Sequence, residues 1–235
     1  MKTINILLTL SSLNVILVTI ERFSFTTKII LQPYSFLRLH EVVQILTLIL
    51  FTVLIPFFLL KELSNNFALL KSTKGLLLGL TFIVGVYLYA TGNGVHELAS
   101  YLFNTFCPTK TFKSAICQSM FFNDYYFGNT LYFVGAYLMN FPLFVLQKMH
   151  PTHDFTRKDI AVTAINSIIF SFAIVAYSGF DRVLVGLVFS LITMVTADLF
   201  LLTSKEKLVK IPFIFYSALA YTVGTLASLA VRFLK

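Results

Sequence analysis

The chain has 235 residues, 57% of them hydrophobic and only 12% charged, with a mean hydropathy of +0.85. A soluble globular domain carries about 25% charged residues, so half that fraction, gathered around runs of roughly 20 apolar residues, places the chain in a bilayer. The net charge of +8 sits in short clusters between those runs, which suits anionic lipid head groups and argues against nucleic acid, since there is no basic helix or RNA-recognition signature.

The first apolar run, residues 3–20, is interrupted by Asn5, Ser11, Ser12 and Asn14. Lys2 precedes it as in a signal peptide, yet no small-x-small cleavage site stands before Glu21. It is read as an uncleaved span; six spans rather than seven follow if it is cleaved or lies flat. Residues 22–38 mix Arg22, Lys28 and Arg38 with aromatics and predict an interfacial stretch broken at Pro33-Tyr34. The second span is predicted from Glu41 to Leu60, with Pro56 tolerated near its end.

The third span starts at Gly75 and runs to Phe106. Those 32 residues would reach about 48 Å at 1.5 Å per residue, against a hydrocarbon core of about 30 Å. Gly92-Asn93-Gly94 is poor helix material, so a break or bend is predicted there. Beyond it, Val95, Leu98, Ala99, Leu102, Phe103 and Phe106 fall on one helical face, while His96, Glu97, Ser100, Tyr101 and Asn104 fill the other.

Residues 107–123 predict a loop carrying both cysteines, Cys107 and Cys117. The fourth span is predicted from Tyr125 to Gln147, with Asp124 at its entrance. The fifth covers 160–178 and the sixth 183–202, joined by a turn at Asp181-Arg182; the seventh runs from Pro212 to Val231. No soluble domain, linker or low-complexity tract intervenes. The expected fold is therefore an all-α polytopic membrane protein, one transmembrane domain over residues 1–235.

Seven spans put the two termini on opposite sides. Lys2 and the loops after spans two, four and six carry ten of the 18 basic residues, a slight excess that predicts a cytoplasmic N-terminus. The loop of Cys107 and Cys117 is then extracytoplasmic, where an oxidising compartment permits a disulfide; paired and free thiols remain equally open.

The ionisable residues segregate. His40-Glu41, His96-Glu97, Asp124 and Asp181-Arg182 all fall at the face of the cysteine loop, while the other face holds mostly lysines. A charge at a helix centre costs about 2.5–3.5 kcal/mol on insertion scales, so charges persist where they pair, line a wet cavity or work. His96, Glu97 and Asp124 are the candidate catalytic residues. His40, Glu41, His96 and Asp124 are the candidate ligands of a divalent metal such as zinc, which takes imidazole nitrogen and carboxylate oxygen. Metal-free acid–base chemistry is the alternative.

Each element also has a blander reading: His96-Glu97 facing head groups, His40-Glu41 as a solvated helix start, Asp124 as a helix cap, and Asp181-Arg182 as a turn with a local ion pair. In span four, Gly128, Gly135 and Ala136 predict close helix packing. Asn129, Asn140, Asn166 and Asp198 are placed for bonds between helices, with Lys205 or Lys207 the expected partner of Asp198 and a proton or ion path the alternative. His150, His153 and Asp154 form a short polar loop with only a weak metal-ligand spacing.

Neither H-E-V-V-Q at 40–44 nor H-E-L-A-S at 96–100 completes H-E-x-x-H, and no P-loop, dinucleotide fingerprint or G-x-S-x-G elbow occurs. Seven spans with scattered His and Asp invite comparison with the alkaline ceramidase and progestin-receptor-like membrane hydrolases. Their zinc site draws histidines from the last helix, whereas residues 212–233 here contain none, so that assignment does not carry over. The expectation is a membrane-embedded hydrolase or transferase acting on a lipid-like amphiphile near the outer leaflet, in contact with membrane lipids. The alternative is a non-enzymatic membrane subunit, small transporter or scaffold.

Overall fold

The computed structural model describes residues 3–107, 114–151 and 155–234; the expectations placed on Lys2, His153 and Asp154 lie outside the described residues. Among the described residues, seven helices are long and apolar enough to span a membrane: α1 (Thr3–Glu21), α2 (Leu39–Leu63), α3 (Thr73–Phe106), α4 (Ala115–Met149), α5 (Arg157–Gly179), α6 (Val185–Leu202) and α7 (Pro212–Phe233). The protein is an all-α, multi-pass integral membrane protein.

Local chemistry sets the helix starts. Ser72 accepts from the Gly75 N–H at 3.1 Å, Thr156 and Asp159 form a reciprocal capping box, and Pro212 opens α7 where its missing N–H costs nothing. Along α3 the residues Leu76, Leu80, Ile83 and Tyr87 form an exposed stripe, while Phe82, Gly85, Tyr89 and Gly92 are buried. The large apolar residues thus face lipid and the small or aromatic ones face protein.

Helix α3 packs most extensively against α4, α7 packs against α5 and α6, and α1 lies on α5 and α2. The expected break at Gly92–Gly94 is absent: α3 is one helix from Thr73 to Phe106. Gly92 is there for contact. A Cβ on it would lie 2.2 Å from the Tyr132 nitrogen and 2.7 Å from the Gly128 oxygen. Gly85 meets Gly135 and Met139 in the same way, so two pairs of glycines bring the backbones of α3 and α4 together. The packing role expected of Gly128 and Gly135 is observed.

The predicted loop 107–123 is shorter than expected. Ser114 caps a helix that starts at Ala115 and continues into the fourth span, and Cys107 and Cys117 form a disulfide across the connection. Asp124 is therefore inside a helix rather than capping one. Residues 22–38 fold back over this end of the bundle. There the Leu31 N–H donates to the Leu37 carbonyl at 2.8 Å, and the Tyr101 hydroxyl donates to the Ser35 carbonyl at 2.7 Å.

Several polar residues within the spans bond to neighbouring helices, but Asn129 and Asn140, expected to do so, donate instead to the Tyr125 and Ala136 carbonyls of their own helix at 3.2 and 2.8 Å. Ser12 of α1 donates to the Asn166 carbonyl at 2.9 Å and lies 3.1 Å from the Tyr216 hydroxyl; Thr163 donates to Asn5 at 2.8 Å; Asn14 donates to the Leu48 carbonyl at 3.1 Å. Asp198 bonds to neither Lys205 nor Lys207. Its carboxylate accepts from Thr222 of α7 at 3.1 Å.

Candidate functional site

The end of α3 does not bury one face of the expected split as a whole: Ala99 and Phe103 of the apolar set are buried, and Asn104 of the polar set is exposed. Glu97 and Tyr101 are buried, whereas Leu98 and Phe106 are exposed. Two stretches of wide, i→i+5 helical turn support the same region: Gln44–Leu48 in α2 and Phe122–Gly128 in α4, with a third, Val175–Gly179, ending α5. Such turns rotate side chains out of the regular helical progression and recur at functional sites.

These elements enclose a cavity of about 670 Å³. Its disulfide end is polar, lined by His40, His96, Glu97, Asp124, Asp181 and Arg182; its deeper wall is aromatic, with Tyr89, Tyr132, Phe133, Phe189 and Tyr221. The volume is in the range of sites for drug-sized ligands, roughly 300–1,000 Å³.

His96 and Asp124 meet across the α3–α4 interface. Nδ1 of His96 lies 2.8 Å from Oδ1 of Asp124 and 3.1 Å from its carbonyl oxygen, the better aligned of the two acceptors. Asp124 is 1% exposed, and its Oδ1 lies against the imidazole in ion-pair contact rather than in an aligned hydrogen bond. With Nδ1 engaged, Nε2 is the ring nitrogen left for chemistry.

A second group gathers on α1, α2 and α3. Glu21 contacts His40 Nδ1, His40 Nε2 faces Glu97 Oε2 at 3.8 Å, and Glu41 accepts from the Arg38 backbone N–H and Nε, both at 2.9 Å. His40, Glu41 and Glu97 are all buried. Gln44 Nε2 donates to Glu21 Oε2 at 2.9 Å.

No protein family, curated protein or solved structure that was compared matches this chain.

The structure thus divides the expected residues into two sets. His96 pairs with Asp124, while His40 and Glu41 gather with Glu97; the four candidate metal ligands do not form one group. His40-Glu41 is buried rather than a solvated start. Asp181-Arg182 is a turn without a side-chain ion pair: Asp181 Oδ1 accepts from the Arg182 backbone N–H at 2.6 Å, and the guanidinium stands 5.6 Å from the Tyr125 ring centroid. Burial pushes the Asp181 carboxyl above its ordinary value, opposed by that backbone hydrogen bond.

Sequence reading missed Glu21, Arg38 and Gln44 as members of the site. Glu21 did carry a signal, because it ends α1 at the membrane face where the other acids cluster. Gln44 carried none.

Proposed function

We propose that this chain is a membrane-embedded hydrolase or group transferase for an amphiphilic substrate, with its site at the disulfide end of the bundle and near the outer leaflet. What carries the reading is that the paired His96 and Asp124 share one cavity with His40 and Glu97 above an aromatic chamber. The polar part of a lipid-like molecule fits the upper end, and its chain fits the lower.

In this reading His96 Nε2 takes a proton from water or an acceptor hydroxyl, and the attacking oxygen bonds to the acyl or phosphoryl centre. The imidazolium then returns the proton to the leaving oxygen as that bond breaks. Asp124 holds the ring by Nδ1 and offsets its transient charge. General acid–base catalysis of this kind contributes about 10²–10⁴-fold.

The test is turnover of ester- and phosphoester-lipid panels by the purified protein in liposomes. Hydrolysis lost by at least about 10²-fold in His96→Ala and Asp124→Asn, with folding retained, supports the reading. No turnover across the panels, or turnover indifferent to both substitutions, sinks it. One observation favours the non-enzymatic alternative: Asp198 and Asn166 are consumed by interhelical bonds, as in a structural subunit. The cavity groups also pair across helices, but His96 engages only Nδ1 and keeps Nε2 for chemistry.

A further inference from the structure

We propose that His40, Glu41 and Glu97 bind one divalent cation, of the kind that accepts mixed imidazole and carboxylate donors, and that Glu21 is a positioning residue for it. One donor atom from each of the three lies within 4.8 Å of the others. Nitrogen and oxygen donors at about 2.0–2.2 Å from an ion stand roughly 3.3–4.4 Å apart. Small side-chain movements complete the set.

Glu97 is the telling member. Its side chain is 7% exposed, and its carboxylate accepts no hydrogen bond among the described residues. Its ion-pair contact among the described residues is His40 Nε2 at 3.8 Å, too far for a hydrogen bond and suited to an ion between them. A buried carboxylate is paired or coordinates a metal.

The surroundings prepare the ligands. Glu21 lies against His40 Nδ1, while Nε2 is the ring nitrogen towards Glu97. A carboxylate behind a metal-ligating histidine is a recurrent arrangement that orients the ring. Gln44 fixes Glu21 by donating at 2.9 Å, and Arg38 fixes Glu41. Three carboxylates, Glu21, Glu41 and Glu97, lie with the His40 imidazole and the Arg38 guanidinium, and Arg22 lines the same cavity. Independently, Asn93 Nδ2, one turn before Glu97 and lining the same cavity, is buried without a partner. It is a donor waiting for an oxygen held beside the ion.

Cation binding is read without turnover, so failure here and failure of the hydrolase reading are separate results. The full chain in detergent is stripped with chelator, reloaded with Zn²⁺ for elemental analysis, and titrated with Co²⁺ for its visible spectrum. One equivalent per chain is expected. His40→Gln and Glu97→Gln should each weaken binding by about tenfold or more, and Glu21→Gln by about 10–100-fold with an altered Co²⁺ spectrum. His96→Gln should retain the metal.

No binding by the wild type at about micromolar metal overturns the proposal. So does binding that survives both His40→Gln and Glu97→Gln, or that His96→Gln removes as fully as Glu97→Gln. Should the Gln variants fail to fold, the wild-type Co²⁺ spectrum decides: an imidazole-ligated d–d band supports the site, and its absence overturns it.

Discussion

Gly92 of α3 rests directly on the backbone of Tyr132 in α4, with no room for a methyl group between them. This contact fixes the register in which His96, one turn further along α3, reaches Asp124. Gly94, two residues away, meets nothing within 4 Å.

The two glycines therefore predict opposite outcomes. Gly92→Ala forces the helices apart and should cost about 1–3 kcal/mol or more, as overpacking does. Gly94→Ala should be neutral or stabilise by up to about 1 kcal/mol, because alanine is the better helix former. Thermal unfolding in detergent distinguishes them; equal midpoints for the two variants would show that the close approach is not what the glycine provides.

His96 and Asp124 should be energetically coupled. A cycle of His96→Gln, Asp124→Asn and the double variant should give an interaction energy of about 0.5–3 kcal/mol, the span seen for residues in contact. Strict additivity in denaturant unfolding would contradict the pairing.

Arg232 holds the turn between α5 and α6, donating to the Ser178, Asp181 and Val183 carbonyls at 2.6, 3.0 and 2.9 Å. Bonds to a charged donor are worth about 1.5–3 kcal/mol each, and lysine lacks the fork that reaches several acceptors. Both Arg232→Met and Arg232→Lys should speed amide hydrogen exchange at residues 179–184. Unchanged protection in Arg232→Met would refute the role.

Stability should depend on pH through Asp181. Its folded-state value is raised above 3.8 by burial, so the folded chain binds the proton more tightly than the unfolded one. The sign follows: this contribution is full below the unfolded value and is lost as pH rises through the folded value. Asp181→Asn should flatten the decline in melting temperature from about pH 4 upward. A variant with the wild-type slope would rule the group out.

The Cys107–Cys117 bridge closes a short loop, with a sequence separation of 10, and its loss should cost roughly 2–3 kcal/mol on the chain-entropy account. It also reports orientation. Thiol labelling of intact cells, with and without reductant, should find both cysteines oxidised and on the extracytoplasmic side. Free thiols that react only after permeabilisation would reverse the proposed topology.

The spans were legible because burial in lipid demands long apolar runs, and the clustering of His40, Glu97 and Asp124 at one face followed from helix alternation alone. What sequence hid were relationships set by tertiary contact. Gly92 reads as a helix breaker by propensity in water, whereas between membrane helices it permits close approach. Asp124 resembled a cap because the polar residues before it masked a helix that begins at Ala115. The pairing of His40 with Glu21 rather than with Asp124 depends on how α1 lies against α2, and no local pattern encodes that.

The polar residues of α1 bear on how the chain is assembled. Ser12 finds its partners in Asn166 and Tyr216, separated from it by 154 and 204 positions, and Asn5 finds its own in Thr163. Ser12 and Asn5 of α1 thus find these partners only when the later helices α5 and α7 have been synthesised. Until then the helix must reside at the insertion machinery or the membrane surface with its donors wet. In chains halted after α4, a cysteine placed midway along α1 should react with a water-soluble maleimide, and completion of α7 should protect it.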